Sequence, residues 1–480
     1  MLVFKKVEIA DVALIRKSLS PYRVIGCDFA PGNIFIWSKS FRIEFCIDCA
    51  AVYFRFPSEN RYLYSFPFAA DLPDALKRLH GFCGEIPAFC NLNPEQMLYL
   101  NSFYGRDFCF SGFFDGREYL YDSKKLIELP GKKYHQKRNH CAKYYKTHTE
   151  ISLSEIKDNS DINICKSIAE NWFTDRYGDS RVLQPEYTAF SRACEHFFVL
   201  GFRGAILYSD GRAVAFTMGE ELSPDVFDVH FEKTLPDYKD AYPVINCEFA
   251  KACLSGYSYI NREDDTGSAD LRKAKLSYYP SEYVYKFYLS SVCEEDKTPG
   301  LKRLWRSVFG DEDYIIDSFF CNVYAESICL SLNIDGDAAA ALYLINATVN
   351  TGQGSFKGYY LYAAATLEKY RGQGLMSALI NEALKIASQS DFIALYPAKE
   401  ALYEYYERFG FKKSGVLEKT ITKNIDESGV LCYSKNVYEY LFDIKNDSSE
   451  NTAEALREGM CTVFNSRLRC EDIIITENLA

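Results

Sequence analysis

The chain has 480 residues, too many for one hydrophobic core, and its 48% hydrophobic and 25% charged residues suit a globular protein of several domains. A net charge of −11 excludes a general nucleic-acid-binding surface, which needs clustered Lys and Arg, but leaves room for a local basic patch. The opening residues MLVFKKVEIADVALIRKSL scatter charges through any apolar stretch, unlike a signal peptide, and the longest strongly apolar run, 338–345, falls far short of the ~20 residues that span a bilayer. A cytoplasmic location is expected.

A short helix opens the chain, and aromatic-rich runs at 33–37, 41–45 and 52–56 read as strands. Within this region Cys46 and Cys49 have the C-x-x-C spacing, followed by His80, Cys83 and Cys90. No second close pair completes a zinc knuckle, so no metal is expected, and the 17 dispersed cysteines read as reduced structural residues. Residues 131–148 carry Lys132, Lys133, Lys137, Arg138, Lys143 and Lys146 without an acid, interleaved with Tyr134, Tyr144 and Tyr145. That segment suits phosphate or RNA, or is a solvated helix face.

The next segment reads as a helix, strands at 198–207, 213–218 and 226–231, a helix at 242–254, and strands at 257–261 and 283–289. His230 and Glu232 share one face of a strand, as a site pair or a satisfied core pair. The run Asn261, Arg262, Glu263, Asp264, Asp265 leaves a strand end, where it is either a ligand site or a charged loop. The polar stretch 290–299 reads as a linker. Beyond it come helices at 301–309 and 311–324, strands at 328–334, 338–345 and 358–366, a helix at 374–387, a strand at 392–396 and a helix at 399–409. The tail 441–480 is polar and weakly patterned.

The most informative run is 358–375, GYYLYAAATLEKYRGQGL, with an amphipathic helix directly after it. Gly372 and Gly374 permit positive φ and close backbone approach, and a helix start offers free N–H groups to a pyrophosphate. The run resembles the acetyl-coenzyme A signature of the GNAT superfamily, Arg/Gln-x-x-Gly-x-Gly/Ala, at Arg371–Met376, with Met376 in place of the small final residue. The resemblance implies acetyl-coenzyme A as co-substrate, held by Ala365, Thr366, Leu367, Arg371, Gly372, Gln373, Gly374, Leu375 and Met376. A second motif, ALYEYYERFGF at 401–411, places Tyr406 in that superfamily's general-acid position, and Glu368 borders the site as a possible base or an exposed side chain. The acceptor implied is a small-molecule or peptide amine.

Residues 227–251 repeat the same design without its glycines: Thr234 and Leu235 lie over Thr366 and Leu367, while Asp240 and Tyr242 replace Gly372 and Gly374. About 290 amino-terminal residues resemble the phosphatidylglycerol lysyltransferase carboxy-terminal family, carried by SPYRVIGCDFAPGNIFIW (20–37), LPGKKYHQKRNHCAKYYKTH (129–148), VHFEKTLPDYKDAYPVIN (229–246) and INREDDTGSADLRKAKLSYYP (260–280). That resemblance implies two GNAT-like lobes and an aminoacyl-tRNA-dependent transferase, with His230, Glu232, Asn261, Arg262, Asp264, Lys132, Lys133, Lys137 and Arg138 as site residues. The alternative is a non-catalytic substrate- or polyanion-binding module serving the acetyltransferase. The expected fold is α/β: tandem GNAT-like lobes at 1–145, 146–292 and 298–440, each a mixed, mostly antiparallel sheet flanked by helices.

Overall fold

The computed structural model describes residues 2–293, 296–414, 431–440, 459–470 and 473. Its two compact units are not contiguous in sequence. One comprises Met1–Leu92 and Gly112–Tyr288, the other Asn93–Ser111 and Leu289–Ala480. The boundaries therefore differ from the linear division 1–145, 146–292, 298–440: residues 93–111 leave the first lobe for the carboxy-terminal unit. The reason is strand pairing. Phe108–Gly112 lies beside Ile328–Ile334, with Cys109 opposite Asn333 and Phe110 opposite Ile334.

The first unit holds two sheets. A five-stranded sheet runs through Lys5–Lys6, Glu44–Asp48, Ala51–Pro57, Tyr62–Ser65 and Phe89–Cys90. A seven-stranded sheet is built around Arg203–Ser209, Arg212–Ser223 and Val226–Thr234, and also takes in Glu118–Asp122 from the region assigned to the first lobe. The expected strand at 33–37 is instead part of the helix Pro31–Phe41. Proline at its first turn presets φ, and Ile34, Phe35 and Ile36 are all buried, so the apolar run carries no period that separates helix from strand. Gly32 is required here, because a Cβ would lie 2.3 Å from the Phe202 ring. Cys46 is buried in a strand and Cys49 occupies the following hairpin turn with φ of 48°.

The carboxy-terminal unit has one large mixed sheet, ordered Phe287–Val292, Phe108–Gly112, Ile328–Ile334, Asp337–Thr351, Gly354–Thr366, Phe392–Leu395, Met460–Val463 and Lys412–Lys413. Part of the unassigned tail is thus a sheet strand, Met460–Val463 paired with Phe392–Leu395. Most of 441–480 lies outside the described residues. Helices Thr298–Phe309 and Asp313–Asn322 bury Leu301, Leu304 and Trp305, then Ile316 and Phe319, at helical spacing. Cys109 and Cys293 form a disulfide across adjacent strands, correcting the expectation that all cysteines are reduced. Their strands bring the Cα atoms to 5.6 Å, a separation that suits the bond.

The repeat read in the sequence is present in the topology. In each copy an antiparallel three-strand meander ends on threonine, at Thr234 and Thr366, and a helix crosses to a parallel strand, Tyr259–Asn261 or Phe392–Leu395. The turns share their hydrogen bonds. Leu235 N–H donates to Val214 O at 2.8 Å and Leu367 N–H to Ala339 O at 2.9 Å, while Tyr238 and Tyr370 N–H donate to the carbonyls of Leu235 and Leu367 at 2.9 Å. Among the described residues, no helix is long and apolar enough to cross a membrane.

Candidate acyl-transfer sites

In the carboxy-terminal unit the strands Gly354–Thr366 and Phe392–Leu395 pair only where Gly358–Tyr360 faces Phe392–Ala394, and beyond it the first strand continues to Thr366 paired on its other side with Asp337–Thr351. Ala341 faces Ala365 and Tyr343 faces Tyr362, so Ala363 and Ala364 together oppose Leu342. This bulge puts Ala363 at φ 48° and re-aims the backbone inside the opening between the two strands. The resemblance in the sequence set Ala365, Thr366 and Leu367 against acetyl-coenzyme A. However, Leu367 N–H is already held by Ala339, and Ala365 lies in the ladder. The irregular backbone is at Ala363 and Ala364.

The short turn Glu368–Tyr370 follows, and Glu368 itself is exposed. Gly372 and Gly374 then take φ of 77° and 79°, the left-handed region, and the helix Leu375–Ala387 starts with no side-chain cap. Its first N–H groups therefore face outward without an internal acceptor. A Cβ at Gly372 would meet nothing within 4 Å, so the glycine serves conformation and leaves that face of the loop open. Two neighbours fix the loop from behind: Gln373 is buried and donates to Lys369 O at 3.1 Å, and Arg371 Nε donates to Thr366 O at 3.3 Å. Met376 is half-buried on the helix.

Tyr406 lies on the short helix Tyr403–Glu407 with its ring buried against Tyr405 and Phe411. Burial, with a smaller contribution from Tyr405, pushes its pKa up to about 12, so the phenol keeps its proton at neutral pH. Tyr405 and Ser377 hydroxyls lie 3.2 Å apart, tying this helix to the first turn of Leu375–Ala387.

The corresponding opening in the first unit, between Val226–Thr234 and Tyr259–Asn261, is filled by charge. Pairing covers Val226–Asp228 against Tyr259–Asn261, and beyond it His230, Glu232, Arg262 and Glu263 converge. His230 points Nδ1 at Glu263 (2.9 Å) and Nε2 at Glu220 (3.2 Å). Burial alone would lower its pKa, but the carboxylates of Asp228, Glu220 and Glu263 hold it well above the usual histidine value. Glu220 also accepts from Arg16 Nη2 (3.0 Å), Gly32 N–H (3.1 Å) and Asn33 N–H (2.9 Å), capping the helix Pro31–Phe41 from another strand.

Glu232 pairs with Arg262 at 2.9 Å, and Arg262 lies against the rings of Tyr121 and Tyr278. Lys137 Nζ sits 3.9 Å from the Tyr278 ring centroid, and burial followed by repulsion from Arg262 lowers its pKa to about 8. Asn261 Nδ2 donates to Glu118 at 2.6 Å, and Lys286 bridges Glu118 (2.8 Å) and Asp28 (2.6 Å). Asp264 stands apart from the convergence and accepts from Thr266 N–H in its own turn. Arg138 also has a local task, donating to the carbonyls of Leu129 and Gly131, whereas Lys132 and Lys133 are exposed.

Residues 21–290, more than half of the chain, match the family model for the carboxy-terminal part of phosphatidylglycerol lysyltransferase. The chain belongs to that family. Residues 291–414 of this lysyltransferase-family protein match the model for an acetyltransferase (GNAT) domain. A crystallised conserved protein of unknown function from Bacteroides thetaiotaomicron is 28% identical with a TM-score of 0.55, and the match covers 60% of this chain and all of that one. The L-PGS structure from Bacillus licheniformis is 15% identical with a TM-score of 0.42, over 59% of this chain and 92% of that one. An uncharacterized protein of Mycoplasmoides gallisepticum is 28% identical over 177 residues, which make up 36% of this chain and 56% of that relative's length. The chain thus combines two acyltransferase-type regions.

Sequence reasoning brought His230, Glu232 and Arg262 to the lysyltransferase-family crevice and missed Glu220, Asp228, Glu118 and Lys286. A signal was present for Asp228, which lies two residues before His230 on the same strand. The expected shared face of His230 and Glu232 does not hold: Val229 faces Gly219 and Phe231 faces Met218, so His230 is the extra residue of a bulge, and Glu232 turns to the other face, toward Asn246 and Arg262.

Proposed function

We propose that the GNAT domain transfers an acetyl group from acetyl-coenzyme A to an amine. The observation that carries this reading is the left-handed pair Gly372 and Gly374 at an uncapped helix start, beyond a bulged strand. The pyrophosphate takes the free N–H groups of the loop and helix, where the helix dipole favours an anion. The thioester then extends into the opening beside Ala363 and Ala364, whose displaced backbone supplies donors to the developing oxyanion. A neutral amine attacks the carbonyl, its surplus N–H proton passes to solvent, the C–S bond breaks, and the Tyr406 hydroxyl protonates the departing thiolate and regains its proton from water. Replacing Tyr406 by Phe is expected to lower kcat by roughly 10²–10⁴-fold while leaving the Kd for acetyl-coenzyme A unchanged. A wild-type kcat in that variant, measured with a good acceptor, would assign the proton to another donor.

For the lysyltransferase-type unit the reading is acyl transfer from a donor other than coenzyme A. The exposed lysines 132, 133, 143 and 146 favour a polyanionic donor such as an aminoacyl-tRNA over a role confined to holding substrate. Replacing these four by Gln should weaken tRNA retention and flatten its salt dependence, with Arg138 left intact because it supports the carbonyls of Leu129 and Gly131. Salt-insensitive retention in the wild type would remove the polyanion from this reading.

A further inference from the structure

Asp228 has the His230 imidazole within ion-pair range but no hydrogen-bond donor among the described residues. Its carboxylate is fully buried, and neither oxygen receives a hydrogen bond among the described residues. His230 is turned toward other acceptors, with Nδ1 2.9 Å from Glu263 but 3.6 Å from Asp228. A buried carboxylate without a donor is costly, so a cation or a proton has to complete the site.

Three ligating atoms from three distant parts of the chain meet at this point. Cys27 Sγ, one Asp228 oxygen and one Glu263 oxygen all lie within 4.8 Å of one another. Each is held by its own backbone. Cys27 begins the turn Cys27–Phe29, with its N–H fixed on Glu118 at 2.8 Å. Asp228 lies in the paired part of its strand, opposite Asn261. Glu263 takes φ of 55°, with its N–H on Asn261 Oδ1 at 2.8 Å, a left-handed conformation that turns the side chain out of the regular strand path. Cys27 and Asp228 are buried, and the Glu263 side chain keeps 20% of its exposure, which gives solvent access.

The donor set separates the possible occupants. An ammonium group would use the two carboxylates but gains nothing from a thiol. Sulfur with two carboxylate oxygens suits a borderline divalent transition metal, for which three protein ligands leave a position open. We propose that Cys27, Asp228 and Glu263 bind one divalent transition-metal ion, zinc by preference, with the remaining position facing the crevice. Binding exchanges the Cys27 thiol proton for the metal and releases that proton to solvent. This assignment stands independently of acetyl transfer by the GNAT domain.

The test uses the full chain, stripped with a chelator and titrated with Co²⁺. The expected result is one equivalent bound, with visible bands of a low-coordinate site and a near-ultraviolet thiolate-to-cobalt charge-transfer band, both bleached by Zn²⁺. Cys27→Ser should lose the charge-transfer band, and Asp228→Asn should weaken cobalt binding by on the order of 10²-fold, comparable to the strongest effects seen for supporting residues at metal sites. A band that survives Cys27→Ser places cobalt on another thiol and overturns the proposal. Absence of uptake by the wild type overturns it as well and leaves Asp228 as a buried protonated acid. Should Asp228→Asn fail to fold, the milder Cys27→Ser change decides alone.

Discussion

Coenzyme A binding by the full chain is expected to disappear when Gly374 is replaced by Asp, and again when Arg371 is replaced by Glu. At Gly374 the backbone has φ of 79°, where an L-residue carries roughly 1–2 kcal/mol of strain, and the new carboxylate would stand at the helix start intended for phosphate. At position 371 the change removes a cation beside the loop, together with its bond to Thr366 O, and adds like charge. Calorimetric titration of wild type should give one equivalent, because Asp240 is exposed at the matching turn of the other copy and Tyr242 begins its helix. Unchanged affinity in both variants would remove the loop from the binding site. A second equivalent that persists in both would place coenzyme A in the other copy.

Glu220→Ala is expected to cost the first unit about 3–5 kcal/mol, the range for removing one partner from a buried ionic cluster. One carboxylate there receives Arg16, the N–H groups of Gly32 and Asn33, and His230, and its side chain is 1% exposed. Its loss leaves His230 Nε2 and a helix start without their acceptor, while His230 Nδ1 keeps Glu263. Arg16→Ala is the contrast: that side chain is 40% exposed, and its pairing is worth at most about 1 kcal/mol. Urea unfolding in a Trp305→Phe background isolates the signal of Trp37 and Trp172 in the first unit. A loss below about 1 kcal/mol for Glu220→Ala would mean that water or a rearranged neighbour replaces the carboxylate.

What could be read from the sequence was local. The glycine loop is a contiguous run whose residue types demand its conformation, and the repeat was visible because Thr-Leu and the following Tyr keep their spacing in both copies. Pairings between distant segments left no such trace. Phe108–Gly112 has no local property that names Ile328–Ile334 as its neighbour, and the Cys109–Cys293 bond follows only from that sheet. Residues 33–37 read as strand because burial around the helix Pro31–Phe41 erases the polar face that gives a helix its period. In the buried cluster, charged residues within strands look like a solvated face until the opposing charges arrive from elsewhere in the chain.

The interleaved boundary also sets an order of events at the ribosome. Helix Pro94–Tyr104 and strand Phe108–Gly112 leave the exit tunnel long before Ile328–Ile334 exists. Since Cys109 pairs with Asn333, synthesis at about 5–20 residues per second delivers the partner roughly 10–45 s later. Until Phe287–Val292 and then Ile328–Ile334 arrive on the two sides of Phe108–Gly112, Met97, Leu98, Leu100, Phe108 and Phe110, all buried in the finished protein, lack the sheet that covers them. Emergence of the two flanking strands, more than the folding rate of either unit, therefore limits how soon this segment is protected.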